Sequence, residues 1–104
     1  MSEEVIVYVD SDLEDLVPGF IENRHEDIEK INEYLDNEEI DEIQRLGHSM
    51  KGSGGGYGFH EITTLGGELE QAAKRSDKDE IDQLNKKLAQ YLKVIKIVYQ
   101  DLDY

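Results

Sequence analysis

Residues 40–59 read IDEIQRLGHSMKGSGGGYGF and contain the clearest structural signal in the chain. The first part of this stretch repeats apolar or small residues at helical spacing: Ile40, Ile43, Leu46, Gly47, Met50 and Gly54. The second part, from Gly52 to Gly58, is dense in glycine, so the helix should end within it. The stretch therefore predicts an amphipathic helix that ends in a glycine-rich turn.

A further helix is predicted before this stretch. Pro18 suits a first helical turn, because its missing N–H would have no partner there in any case. The apolar stripe of this helix consists of Val17, Ile21, Ile28, Ile31 and Leu35. Residues 12–17 form either a separate turn or an extension of the helix. Asp36 and Glu39 have the spacing of a capping box for the next helix, and Asn37 is the alternative cap.

Two more helices are predicted after the glycine-rich turn. The third helix begins near residues 59–60, ends by about Arg75, and contains Gly66, where a neighbouring helix can approach closely. Its inward-facing residues are Ile62, Leu65, Leu69 and Ala73. Asp77 and Glu80 have cap spacing before a fourth helix, which is expected to continue to the C-terminus. The apolar stripe of that helix consists of Ile81, Leu84, Leu88, Tyr91, Leu92, Ile95, Val98, Tyr99 and Leu102.

The fold class follows from these four patterns. Short connections between amphipathic helices predict antiparallel neighbours, so we expect an all-α protein, an antiparallel up-down four-helix bundle. Residues 1–104 should form one domain, with the bundle spanning about residues 12–102. Residues 1–11 should form an extended N-terminal arm. The apolar run at residues 5–9 resembles a strand but has no second strand to pair with, and a lone strand leaves its backbone groups unsatisfied.

Charge and composition restrict the classes of partner. The net charge is −14, and the first 44 residues carry all of it. Nucleic acid is a poor partner for such a surface, because its binding requires clustered Lys and Arg. An anionic membrane is disfavoured for the same reason. The chain has no cysteine, no apolar run long enough for a membrane span and an acidic N-terminus unlike a secretory signal, so we expect a cytoplasmic protein. We expect a monomer, and a weak dimer through the apolar residues 5–9 is the alternative.

His48 is the first candidate for chemistry. At about 100° per residue it lies about 140° from Ile43, so it should point outward from the core. Lys51 and Gly52 follow it by three and four residues and share its surface, and Gln44 lies one turn before it. A neutral imidazole nitrogen can attack phosphorus. Lys51 would offset the charge of a phosphoryl group, and glycine at position 52 would let a partner come close.

The motif His48-Ser49-Met50-Lys51-Gly52-Ser53, followed by Tyr57-Gly58-Phe59, resembles the signature of the histidine-phosphotransfer (HPt) family. Leu69-Glu70 followed by Ala72-Ala73 is similar to the next helix of that family. The resemblance covers about residues 12–100. The run of glycines at positions 54–56 is richer in glycine than the family pattern.

The resemblance implies a phosphocarrier in a two-component phosphorelay. His48 would be the phosphoryl acceptor, with Lys51 and Gly52 beside it. The partners would be response-regulator receiver domains, a hybrid histidine kinase, or both. The module would need no cofactor, and the Mg²⁺ of the reaction would belong to the partner receiver domain. The other residues expected to contact the partner are Gln44, Arg45, Ser49 and Tyr57.

Several alternatives are weighed against this interpretation. One is an adaptor that inhibits a receiver domain without being phosphorylated, and another is the phospho-accepting domain of a chemotaxis-type histidine kinase. A P-loop would need its lysine after the glycines, whereas Lys51 precedes them, and no ATP-binding box of the kinase type is present. His25 and His60 are interpreted as structural, and the three histidines lack zinc-ligand spacing. We therefore expect neither an enzyme nor a metal site.

Overall fold

Four helices form the body of the protein, which we describe from a computed structural model covering residues 4–101. The helices are α1 (Val17–Asp36), α2 (Ile40–Gly54), α3 (His60–Lys74) and α4 (Lys78–Val94). Each helix packs on the next one, and α1 also packs on α4, which closes the bundle. The predicted all-α helical bundle is confirmed. None of the helices within the described residues is both long and apolar enough to cross a membrane.

The core contains the inward faces that the periodicity predicts for α2, α3 and α4. Ile43, Ile62, Leu69, Ile81 and Leu88 are completely buried. The apolar stripe of α1 is only partly as predicted: Val17 and Ile31 are buried, but Ile21, Ile28 and Leu35 are only partly buried against the core. In their place α1 buries Phe20 and Asp27. Leu102, predicted on the stripe of the fourth helix, lies outside the described residues.

The two ends of the described chain form a parallel sheet that the sequence analysis did not predict. Strand β1 (Val5–Asp10) pairs with strand β2 (Ile95–Gln100), in a register that places Val5 beside Ile95. The expectation that the extended arm at residues 1–11 has no strand to pair with is therefore wrong for residues 5–10. The expectation that the fourth helix continues to about residue 102 is also wrong, because α4 ends at Val94. Four of the six residues 95–100 are β-branched or aromatic, which favours a strand once a partner strand is available. Residues 1–3 lie outside the described part.

The helix ends agree with one predicted cap and contradict another. The Asp77 carboxylate accepts a hydrogen bond from the backbone N–H of Glu80 at 3.1 Å, as the cap spacing predicts. The cap predicted at Asp36 or Asn37 is wrong, because α1 extends through Asp36 and α2 begins only at Ile40. The chain reverses at Glu38, whose φ of 58° is left-handed, and the Glu39 N–H returns to the Tyr34 carbonyl at 2.8 Å.

Candidate functional site

Glycines bring α2 and α3 into backbone contact. A Cβ atom at Gly47 would lie 2.7 Å from the Glu70 nitrogen and 2.8 Å from the Gly66 carbonyl oxygen. A Cβ atom at Gly66 would collide with the Lys51 nitrogen, and one at Gly54 would lie 2.7 Å from the Thr63 nitrogen. No larger residue fits at these positions without separating the helices. The pairing of these two helices therefore depends on glycine.

This close packing places a buried carboxylate beside His48. The Nδ1 atom of His48 lies 2.9 Å from Oε2 of Glu70. The His48 side chain is 74% exposed, whereas that of Glu70 is only 10% exposed. Lys51 approaches the same carboxylate from the next turn of α2, with its Nζ atom 3.8 Å from Oε1 of Glu70. One buried acidic group on α3 therefore contacts two of the polar side chains that the motif places on α2, His48 and Lys51.

The contact with Glu70 selects one form of the imidazole. An ionised carboxylate can only accept a hydrogen bond, so the proton in this contact belongs to Nδ1 of His48. In a neutral ring the other nitrogen, Nε2, then carries a lone pair and no proton. Because the side chain is largely exposed, that lone pair is available to a partner molecule. The arrangement provides an oriented nitrogen nucleophile.

Lys51 lies across a second glycine of α3. A Cβ atom at Gly67 would be 3.5 Å from Cδ of Lys51 and 4.0 Å from its Cε. The aliphatic part of Lys51 therefore crosses α3 where no side chain obstructs it, and its ammonium group reaches the Glu70 carboxylate. Long basic side chains commonly pack their stems against a surface while the charged end remains in solvent. This packing keeps a positive charge close to His48.

The remaining predicted site residues differ in their packing and exposure. Nothing lies within 4 Å of a Cβ atom built at Gly52, so this glycine has no packing role inside the molecule. Arg45 and Ser49 are exposed, and Gln44 is half-buried. Tyr57 is also half-buried and stacks on Phe20, with the ring centroids 4.4 Å apart. Its ring therefore covers the core, and only part of it is available to a partner.

A buried ion pair on α1 supports the end of α2. Arg24 pairs with Asp27 at 2.8 Å, and its Nη1 atom donates to the Ser53 hydroxyl at 3.3 Å. The guanidinium also lies 4.7 Å from the centroid of the Phe20 ring. Burial raises the pKa of Asp27, although the nearby guanidinium opposes this effect. These contacts connect the motif residue Ser53 to α1, and so fix the last turn of the helix that carries His48.

Glu70 is the functional residue that sequence reasoning missed. It appears in the sequence only as an acidic residue next to Leu69 on a helix whose inward face is otherwise apolar. A carboxylate at such a position requires a partner, and this was the available signal. Identifying His48 and Lys51 as the partners also requires knowing that Gly47 and Gly66 bring α2 and α3 together.

The other two histidines are not part of this cluster. His25 and His60 are both exposed on their helices. Within residues 4–101 no group of three or more His, Cys, Asp or Glu side chains is arranged to hold a metal ion.

Comparison with known proteins identifies the family. A family model described as the Hpt domain matches residues 15–94, which is most of the chain. The chain belongs to the Hpt domain family. Hpt domains carry out histidine phosphotransfer in two-component signalling, interact with receiver domains and histidine kinases, and are phosphocarriers rather than enzymes. No curated protein and no solved structure matches the chain.

Replacing a glycine of this Hpt domain by alanine should change the free energy of unfolding in opposite directions at two positions. Gly66→Ala should lower the free energy of unfolding by at least about 2 kcal/mol, because the added methyl group meets the backbone of α2. Gly52→Ala should raise it by about 0.5–1 kcal/mol, because the position is open and glycine is a poor helix former. Urea denaturation of the two variants measures both changes. Equal effects at the two positions would contradict the packing described here.

Proposed function

We propose that this Hpt domain relays a phosphoryl group between receiver-domain aspartates, with Nε2 of His48 as the acceptor atom. A phosphorylated receiver domain or a hybrid histidine kinase would donate the group, and a second receiver domain would accept it. Partner binding would not involve nucleic acid or a membrane. We further propose that the module works in the cytoplasm as a monomer.

The observation that carries this proposal is the contact between the Glu70 carboxylate and Nδ1 of a largely exposed His48. An exposed histidine without a fixed partner samples both neutral tautomers and many ring orientations. Here the buried Glu70 carboxylate accepts a hydrogen bond from Nδ1 of His48, and this contact favours one tautomer and one ring orientation. Fixing the ring before the partner arrives reduces the entropy cost of reaching the reactive geometry.

The transfer step follows from the same contact. The Nε2 lone pair attacks the phosphorus of an aspartyl phosphate on the partner, and the bond between phosphorus and the aspartate oxygen breaks. The partner's aspartate leaves as a free carboxylate. Because Nδ1 keeps its proton, the imidazole ring becomes cationic as the N–P bond forms. The negative charge of Glu70, 2.9 Å away, stabilises that cation, and reversal of the same steps returns the group to an aspartate.

The neighbouring residues would assist from the surface. The Lys51 ammonium would offset the negative charge of the incoming phosphoryl group. Gly52 leaves open space beside His48, where the partner backbone can approach. Gln44, Arg45, Ser49 and the exposed part of Tyr57 would contact the partner. The Mg²⁺ for the reaction is expected on the receiver domain, and the module itself is expected to need no cofactor.

Replacing His48 tests the acceptor assignment. His48→Gln should abolish uptake of acid-labile, base-stable phosphate from a chemically phosphorylated receiver domain, while an exposed side chain leaves the fold intact. His25→Gln, at another exposed histidine, is the matched control and should be labelled like the wild type. Label that persists on the His48 variant would refute the assignment. Unlabelled wild-type protein that still binds the receiver would favour the inhibitory adaptor.

Replacing Glu70 tests the electrostatic role of the carboxylate. Glu70→Gln keeps an oxygen that accepts the Nδ1 proton but removes the charge that stabilises the cationic ring, so transfer to His48 should slow by about tenfold or more. Rapid-quench measurement of single-turnover transfer gives this rate. Glu68→Gln, an exposed position on the same helix, is the control and should leave the rate unchanged. An unchanged rate for Glu70→Gln would show that its charge plays no part in the reaction.

A further inference from the structure

Strand β1 carries most of the exposed large hydrophobic residues in the described part of the chain. Four large hydrophobic residues are exposed within residues 4–101, and three of them lie on this strand: Val5 at 41%, Ile6 at 51% and Tyr8 at 56%. Single exposed apolar residues are common, but a contiguous group typically marks a surface that binds another molecule. The strand is therefore a candidate interaction surface that phosphotransfer at His48 does not explain.

An apolar groove of about 650 Å³ runs beside this strand. One wall consists of four consecutive residues of β1, Val5 to Tyr8. Side chains alternate between the two faces of a strand, so four successive residues border one groove only along the strand's edge. No described residue of β2 lines the groove, which places it on the side of β1 away from the paired strand.

Two helices complete the groove. The end of α4 lines the groove with Lys87, Gln90, Tyr91 and Val94. The start of α3 lines it with His60, Glu61 and Leu65. Tyr91 and Leu65 are buried and give the groove an apolar floor. A groove between a strand edge and a helix has the dimensions of a binding site for an extended chain. We call this site the β1 groove.

The backbone of β1 supplies the polar contacts for such a chain. The sheet has two strands, so β1 pairs with β2 along one edge only. The carbonyl of Tyr8 lies against Gly58, where an added Cβ atom would be 3.0 Å from it. Before Tyr8, alternate residues along the other edge present N–H and C=O groups that have no strand to bind. An extended peptide in the β1 groove would pair with these groups as a third strand and would place alternate side chains against the apolar floor.

The charge around β1 selects the kind of peptide. Glu4 precedes the strand and Asp10 ends it, while Lys96 of β2 lies beside Ile6 near the middle of the strand. The chain has no Lys or Arg before Arg24. Within the groove, Lys87 and Glu61 offset each other. Two copies of this protein paired through β1 would bring acidic ends together, which is destabilising when like charges lie opposite each other across a sheet. A peptide with basic residues at its ends would be attracted instead.

We propose that the β1 groove binds an extended peptide segment of another protein, with alternating apolar side chains flanked by Lys or Arg, by strand addition to β1. The groove is separate from the phosphotransfer surface. Glu61 and Glu70 are about 13 Å apart along α3, at about 1.5 Å per residue, and Glu70 contacts α2. A tethered partner could therefore remain bound while His48 stays accessible. The proposal does not depend on the assigned role of His48.

Selection from a displayed library of random nine-residue peptides, using the full chain as bait, tests this proposal. The selected peptides should alternate apolar residues and carry Lys or Arg at their ends. Titration calorimetry with a synthetic selected peptide should show at least tenfold weaker binding when its flanking basic residues are replaced by Glu. Methylation of alternate backbone nitrogens that face β1 should abolish binding, because strand addition requires those N–H groups.

Two variants at exposed apolar residues provide the matched comparison. Tyr8→Lys, in the groove, should abolish binding of the selected peptide, whereas Leu16→Lys, outside it, should leave binding unchanged. Equal loss in both variants, equal binding by both, or selection of no peptide would overturn the proposal. So would concentration-dependent dimerisation by analytical ultracentrifugation that Tyr8→Lys removes, because the occupant would then be a second copy.

Discussion

The backbone contact between α2 and α3 at Gly47 and Gly66 is the constraint on which the rest of the structure depends. It brings the two helices closer than larger side chains would allow, so that side chains near the contact on α2 lie next to side chains near the contact on α3. Through it, the carboxylate of Glu70 on α3 reaches the imidazole of His48 on α2. The cost is two glycines inside helices, each about 1 kcal/mol less favourable than alanine, which tight packing must offset.

The division between buried and exposed groups explains how so small a domain supports a group transfer. The proposed nucleophile, His48, is on the surface, where a partner's active site can close over it, and the Glu70 carboxylate that contacts it is buried. Lys51 is the only other charged residue that contacts Glu70 among those described, and it remains half exposed. A carrier built in this way needs no pocket of its own, because the partner supplies the enclosure.

Sequence periodicity was sufficient for the helices and for the outward direction of His48, because both depend on local spacing around residues such as Ile43 and Met50. It was insufficient where the outcome depended on distant parts of the chain. The apolar residues within 95–100 fit the stripe of a helix, and their β-branched and aromatic types also suit a strand, so only pairing with β1 at the other end of the chain decides between the two. Glu70 was missed for the same reason, since its role arises from the crossing of two helices.

The most direct test of the central claim is the site of phosphorylation within the His48 ring. Nitrogen-15 and phosphorus-31 NMR of the phosphorylated protein, labelled at histidine, distinguishes the two ring nitrogens by their coupling to phosphorus. The contact with Glu70 predicts phosphorus on Nε2 of His48 and a proton retained on Nδ1. Phosphorus on Nδ1, or on another residue, would contradict the account, because the nitrogen held by Glu70 would then be the one that reacts.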